Sequence, residues 1–289
     1  MTCPTAALLA DAAASVRRAQ AYILSRQSDA GGFCFYRSGP VDEPNLRDTY
    51  HAVAALTLLG AAVPAPDRVV AFVRNSRTFD SGFLYWYAFA LDRLGRADAI
   101  DAARRTRIAS LTVDVPTSGD AIMSQRLTRA LRVVRLLARF ADPPTGRGIH
   151  ERLDALKSDG GYGTEPNLWD TSFALGIRHC IGPLSDTDDT RAFVDRLQVP
   201  PFGFALAGNA ITGTLDVIHA GVTCCSLLNL PVRLASDVLQ FVLSCQSAHG
   251  GFARAPDALP DLAHTHRALA VIRSIVSAST GTTMPAANT

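Results

Sequence analysis

Asp216 and His219 lie three residues apart in Leu215-Asp216-Val217-Ile218-His219, so a helix through them presents a carboxylate and an imidazole on one face. That pair suits proton transfer or metal ligation. Its alternative is a helix cap at Asp216 and a histidine that satisfies nearby backbone. Other acids recur near predicted helix starts: Asp48 in Asn45-Leu46-Arg47-Asp48-Thr49, Asp170 in Asn167-Leu168-Trp169-Asp170-Thr171, and Asp261 in Asp261-Leu262-Ala263-His264-Thr265. There a carboxylate accepts hydrogen bonds from free backbone N–H groups and meets the positive end of the helix dipole. The run Asp186-Thr187-Asp188-Asp189 opens a short predicted helix over 190–198 and reads as its N-terminal cap.

Aromatic residues form a second chemical resource. Phe83, Tyr85, Trp86, Tyr87 and Phe89 make the densest cluster, and Trp169 and Phe173 stand on another predicted helix. Ring faces carry negative charge and suit cations and apolar chains, although aromatics at helical spacing are equally ordinary core. Tyr85, Trp86, Phe89, Trp169 and Phe173 are the candidates for lining a cavity. Arg126, Arg129, Arg132, Arg135 and Arg139 share one side of a predicted amphipathic helix, which reads as its solvated face.

A repeat positions these residues. Gln27-Ser28-Asp29-Ala30-Gly31-Gly32-Phe33 returns as Gln246-Ser247-Ala248-His249-Gly250-Gly251-Phe252, with a partial copy at Ser158-Asp159-Gly160-Gly161-Tyr162. Each copy follows an amphipathic run and precedes a polar loop, after which a largely apolar helix opens. The unit is helix, Gly-Gly-aromatic turn, loop, helix. Extended through degenerate turns it gives six helical hairpins, with second helices starting near Leu46, Phe83, Ala121, Leu168, Leu215 and Leu262. Runs such as 52–59 and 173–177 are nearly all apolar and suit enclosed helices, whereas 67–77 and 232–245 carry polar faces and suit an outer ring.

Composition sets the bounds. The 289 residues are 48% apolar and 19% charged, with a net charge of +2, so a large core is affordable and a nucleic-acid surface is not indicated. The six cysteines show no metal-site or disulfide spacing, and no apolar run is long enough to span a membrane. These features, and the lack of a signal-like N-terminus, predict a cytoplasmic protein with one domain over 1–276 and a disordered tail over 277–289.

The glutamine, the Gly-Gly-aromatic turn and the following Asp-Thr or His-Thr helix start resemble the repeats of protein prenyltransferase β-subunits and squalene (terpene) cyclases. The resemblance runs from about 21 to 276 and implies an all-α (α/α)6 barrel whose inner helices surround a cavity for isoprenoid chains. It further implies an enzyme of prenyl transfer or cyclisation acting on a prenyl (diphosphate) substrate in a central apolar cavity, with a helical partner subunit or a homodimer.

The resemblance carries over to sites residue by residue. Prenyltransferases of this kind hold zinc with an Asp and a Cys two residues apart and a His at the start of the next inner helix. Asp216 and His264 match, but Ile218 stands in the cysteine's place. With His219 they would form a two-His, one-carboxylate site for zinc or another divalent metal. The cyclases protonate an alkene with the middle acid of Asp-x-Asp-Asp; Asp170 matches only the last acid, and Trp169 holds the donor's position. Asp216, His219, His264, Asp170 and Asp48 are therefore the candidate catalytic groups. Because both signatures are altered, the alternative is a non-catalytic isoprenoid- or lipid-binding or scaffold barrel.

Overall fold

In this computed structural model, residues 4–38, 41–144, 147–208, 210 and 213–280 are described. Among them are twelve α-helices: α1 (Ala6–Ser25), α2 (Leu46–Leu58), α3 (Pro66–Asn75), α4 (Ser81–Arg93), α5 (Ala102–Ala109), α6 (Met123–Phe140), α7 (Arg147–Asp154), α8 (Leu168–Ile181), α9 (Asp188–Arg196), α10 (Leu215–Leu227), α11 (Ala235–Ser244) and α12 (Leu262–Thr280). The even-numbered helices begin within two residues of the starts read from the repeat. Two minimal hairpins, β1 (Arg37–Ser38) with β2 (Val41–Asp42) and β3 (Lys157–Ser158) with β4 (Gly161–Tyr162), edge two of the turns. Helix α12 continues to Thr280, so residues 277–280 are helical where a disordered tail was expected; 281–289 lie outside the described residues.

The chain divides into two compact units. The first holds the described residues of Met1–Asp101, Thr214–His219 and Ala235–Thr289; the second holds those of Ala102–Gly213 and Ala220–Leu234. In the first, α2 packs against α4 and α12, and α1 packs against α11 and α12. Residues Ala52 to Leu56 of α2 are all fully buried, whereas α3 buries only Val69, Val70 and Val73 along one stripe, as its polar sequence requires. In the second unit α6 packs against α5 and α8, and the core gathers Leu127, Leu131 and Val134 with Leu153, Tyr162, Ala174 and Ile177.

The repeat works by three linked contacts. First, the glycines admit the next odd-numbered helix. A Cβ on Gly32 would lie 2.6 Å from the Phe72 ring, on Gly161 2.6 Å from Phe193, and on Gly251 2.5 Å from Tyr22. The preceding glycines hold positive φ and touch backbone carbonyls four residues before those rings, at Arg68, Asp189 and Arg18. The last copy thus seats on the first helix. Second, the threonine after each helix start joins turn to helix. Thr49, Thr171 and Thr265 accept from the buried N–H of Phe33, Tyr162 and Phe252 at 2.9–3.0 Å, and each donates to the carbonyl of Asn45, Asn167 or Asp261. Third, the glutamine reaches forward: Gln27 Nε2 donates to Pro64 O and Gln246 Nε2 to Ser15 O. Gln198 does the same to Pro231 O, which exposes a fourth, degenerate copy ending in Gly203-Phe204.

No helix among the described residues is long and apolar enough to cross a membrane. The described cysteines are free thiols, and Cys34, Cys224, Cys225 and Cys245 are buried.

Candidate functional site

Asp48 and Asp170 occupy the same place in two copies of the repeat, the third residue of an enclosed helix. Neither caps it; the caps are Asn45 and Asn167. Each Asn oxygen accepts from the Asp N–H at 2.9 Å, and each Asn amide donates back to the carboxylate, at 2.6 Å to Asp48 and 2.8 Å to Asp170. Burial pushes both carboxyl groups above the usual carboxylate value, against the opposing pull of Asn45 and Arg47 in one case and of Ser124 and Asn167 in the other.

Asp170 differs from Asp48 in what lies beside it. It is 3% exposed, its Oδ1 makes no well-aligned hydrogen bond among the described residues although Ser124 bears on the carboxyl group, and it lines a cavity of about 510 Å³. Met123, Ser124 and Gln125 at the start of α6, the loop 119–122, Thr164, Glu165 and Asn167 complete the lining. Gly163 makes room for the carboxyl group, since a Cβ there would lie 2.7 Å from Asp170 Oδ2. A buried carboxyl group whose proton affinity is raised, set beside a cavity, is suited to donating a proton.

In the first unit the structure brings Asp216 and His264 together, the two residues that the family resemblance had paired. His264 Nε2 lies 3.4 Å from Asp216 Oδ1, without hydrogen-bond alignment, and its Nδ1 is 2.7 Å from Asp261 Oδ2. Asp261 also caps α12 by accepting from the His264 N–H, so this copy of the box has the acid at the cap and the imidazole three residues on. Asp216 further pairs with Arg267, and Arg254 Nε lies 3.3 Å from its second oxygen. Burial works to raise the pKa of Asp216, but His264, Arg267 and Arg254 outweigh it and hold the carboxyl at about 2. Burial opposes protonation of His264, yet Asp216 and Asp261 raise its affinity for a proton.

These residues do not fit a zinc ion. A divalent cation at Asp216 would face the guanidinium groups of Arg254 and Arg267, and Ile218 offers no ligand atom. Nor does His219 supply the third ligand: among the described residues no three His, Cys, Asp or Glu side chains converge as a metal set. His219 instead bears on His266, whose basicity is lowered to about 3 by burial first and then by Arg93, His219 and Arg267. His266 Nδ1 lies 3.3 Å from His51 Nδ1.

The aromatic candidates divide between the units. In the first, Tyr85 stacks on Phe89 with centroids 4.5 Å apart, and its hydroxyl is 3.3 Å from that of Tyr50. Trp86 turns away to pack edge-on against Phe83, which continues to the exposed Phe79. In the second, Trp169 is half-buried and Phe173 packs against the core beside Ala174 and Ile177. Asp186-Thr187-Asp188-Asp189 leads into the odd-numbered helix α9, which starts at Asp188 rather than 190; its N-cap is Thr187 with no side-chain cap bond, so the expected acidic cap is not formed, and Asp189 pairs instead with Lys157.

Sequence reasoning did not reach Arg254, Arg267, Ser124 or His266. Two had a signal. Arg267 follows His264 by three residues on one helix, and Arg254 stands two residues after the turn aromatic, where its carbonyl accepts the first N–H of α10. Leu206 does the same for α8 two residues after Phe204.

Helical hairpins in a Gly-Gly-aromatic repeat, with ionisable groups boxed at the starts of the enclosed helices, define a class of helical toroid. The prenyltransferase alpha-alpha toroid domain family matches residues 2–85 and 81–282, and the chain belongs to that family, whose fold is the all-α toroid expected above. Among solved structures it is similar to a variant of the type II terpene cyclase MstE from Scytonema in complex with its substrate geranylgeranyl dihydroxybenzoate. That likeness has 13% identity and a TM-score of 0.60, over 96% of this chain and 99% of that one. The ligand-free MstE matches at 15% identity with a TM-score of 0.58, over 94% and 99% of the two chains. A further variant, bound to the product merosterolic acid A, matches at 15% identity and a TM-score of 0.55, over 94% and 98%. At such identities the likeness shows the fold alone. No curated protein sequence matches this chain.

Proposed function

We propose that this protein is an enzyme that cyclises an isoprenoid, with Asp170 as the acid that starts the reaction. One observation carries the reading: a carboxyl group 3% exposed, its proton affinity raised by burial, lines a cavity of about 510 Å³. That volume falls in the range of small-molecule sites. The similar terpene cyclase binds a geranylgeranylated aromatic acid, which supports a prenyl chain as the substrate class.

In this reading the Asp170 O–H adds its proton to a terminal C=C and leaves a tertiary carbocation. The next C=C attacks to close a ring, the final cation loses a proton to water, and Asp170 regains a proton from solvent, so the whole is an isomerisation without a redox partner. The carboxylate left behind is stabilised by the Asn167 amide, 2.8 Å from Oδ2, and by the start of α8. Prenyl transfer through a zinc-bound thiol has less support, because Asp216 is already paired with arginine. The alternative is a non-catalytic isoprenoid-binding toroid, favoured by Trp169 at the position of the family's proton donor.

The test is incubation with geranylgeranyl diphosphate and with geranylgeranylated aromatic acids, followed by product analysis. Cyclised product should form, and Asp170→Asn should lower its rate by about 100-fold or more. Product formation unaffected by Asp170→Asn would remove the acid; ligand binding without turnover would establish the non-catalytic alternative.

A further inference from the structure

A second cavity, of about 380 Å³, lies in the first unit and is lined by Ala21, Tyr22, Ser25, Arg26, Arg37 and His249. Among the described residues no acidic side chain lines it. The Arg26 guanidinium carbon lies 4.5 Å over the centroid of the Tyr22 ring. Tyr22 is fixed in turn, because Gly251 packs on its ring and its hydroxyl donates to Pro260 O at 3.1 Å. A guanidinium stacked by its face keeps its N–H edge for an acceptor. Arg26 Nε is nonetheless buried without a hydrogen-bond partner among the described residues. A buried, unsatisfied cationic donor is costly unless something fills its place.

The repeat makes the same point by comparison. Four residues after the packed ring, the other two Gly-Gly junctions carry Ser76 and Leu197; this one carries Arg26. Immediately before the glycines they carry Ala30 and Asp159; this one carries His249. The acid at Asp29 is replaced by Ala248. Arg37 reaches the same space from β1, held by a 2.6 Å bond to Gln27 O and a loose 3.5 Å contact to the exposed Asp29. Positive charge has thus been concentrated, and negative charge removed, at one junction of a common scaffold.

We infer that this cavity is a binding site for a phosphate-type oxyanion. Arg26 and Arg37 supply the donor forks, and His249 and Ser25 close the shell. The anion is either a free phosphate or diphosphate or the headgroup of a lipid. The inference stands apart from the proposed function, since none of its residues takes part there.

The experiment uses the full chain at low ionic strength. Inorganic pyrophosphate is titrated calorimetrically, and cosedimentation is measured with phosphatidylcholine vesicles with and without phosphatidylglycerol. Arg26→Gln and Arg37→Gln should each weaken binding by about tenfold or more, because a charge-assisted bond is lost. Arg129→Gln, on the exposed side of α6, should leave it unchanged. His249→Gln, at an exposed turn position, gives a second reading should either arginine variant fail to fold. Pyrophosphate affinity lost in the cavity variants identifies a free anion; phosphatidylglycerol-dependent sedimentation lost in them, without pyrophosphate affinity, identifies a headgroup. Binding of neither probe, or binding that the cavity variants retain, overturns the site.

Discussion

Asp170 and Asp216 are both acids in the first turn of an enclosed helix, yet their neighbours drive them in opposite directions. Burial raises Asp170, so its protonated form fits the folded chain. The associated stability is fully present below the unfolded value and is lost as pH rises through the folded one. Replacing it with the neutral Asp170→Asn should therefore raise thermal stability at neutral pH, with the margin over wild type vanishing in acid. Such a gain at the expense of activity is the usual mark of a strained functional group. Asp216, held at about 2, behaves conversely. Its contribution is present above about 3.8 and is lost as pH falls towards about 2. Asp216→Asn should cost about 1–2 kcal/mol at pH 7, after allowance for solvent screening of the exposed Arg254. Urea titrations from neutral to acid pH check both; equal pH profiles for Asp216→Asn and wild type would contradict the second.

At the scale of the element, the Gly-Gly-aromatic turn and the threonine one helical turn into the next helix form a joint. Thr171→Val keeps the shape but leaves the buried Tyr162 N–H without its acceptor, at a cost of about 1–3 kcal/mol in urea unfolding. Gly161→Ala should also destabilise, since the new methyl group would meet the Phe193 ring and the tightly packed ring has little room to yield. Gly148, with open space around it, should accept Ala freely. This joint is what made the fold legible. Gly-Gly-aromatic and Asp-Thr are short, invariant in geometry and tied together by hydrogen bonds that leave little chemical latitude, so helix starts fell within two residues. The degenerate copy at Gln198 kept only the glutamine and Gly203-Phe204 and was harder to see. The site was less legible for a different reason. Asp216 and His264 were paired by the family resemblance alone, and their charge state is set by Arg254, a loop residue, and by Arg267, whose role appears only once α12 is set against α10. Ser124 approaches Asp170 from α6, far along the chain, and carries no local signature.

At the scale of the whole chain, the glutamine of the last repeat copy makes a far longer-range contact than its counterpart in the first. Gln246 accepts from Ser15 Oγ at 2.7 Å and donates to Ser15 O at 2.9 Å across 231 positions, and it also accepts from Arg18. Its counterpart Gln27 reaches Pro64 O across only 37. The two glutamines serve the same local turn, each with a bond to the carbonyl of the first glycine, Gly31 or Gly250. A difference between them therefore isolates the long-range part. Contacts of large sequence separation carry the greatest loop-closure cost and tend to form after local hairpins. Gln246→Leu should then cost about 1–3 kcal/mol, expressed as faster unfolding with little change in the folding rate. Amide exchange should accelerate in α1 and around Gly250, but not in α6 or α8. Gln27→Leu should instead loosen its own turn and the start of α3. If Gln246→Leu slowed folding and left α1 protected, the ends of the chain would have to meet early, and the repeat would be assembled from its closure outward.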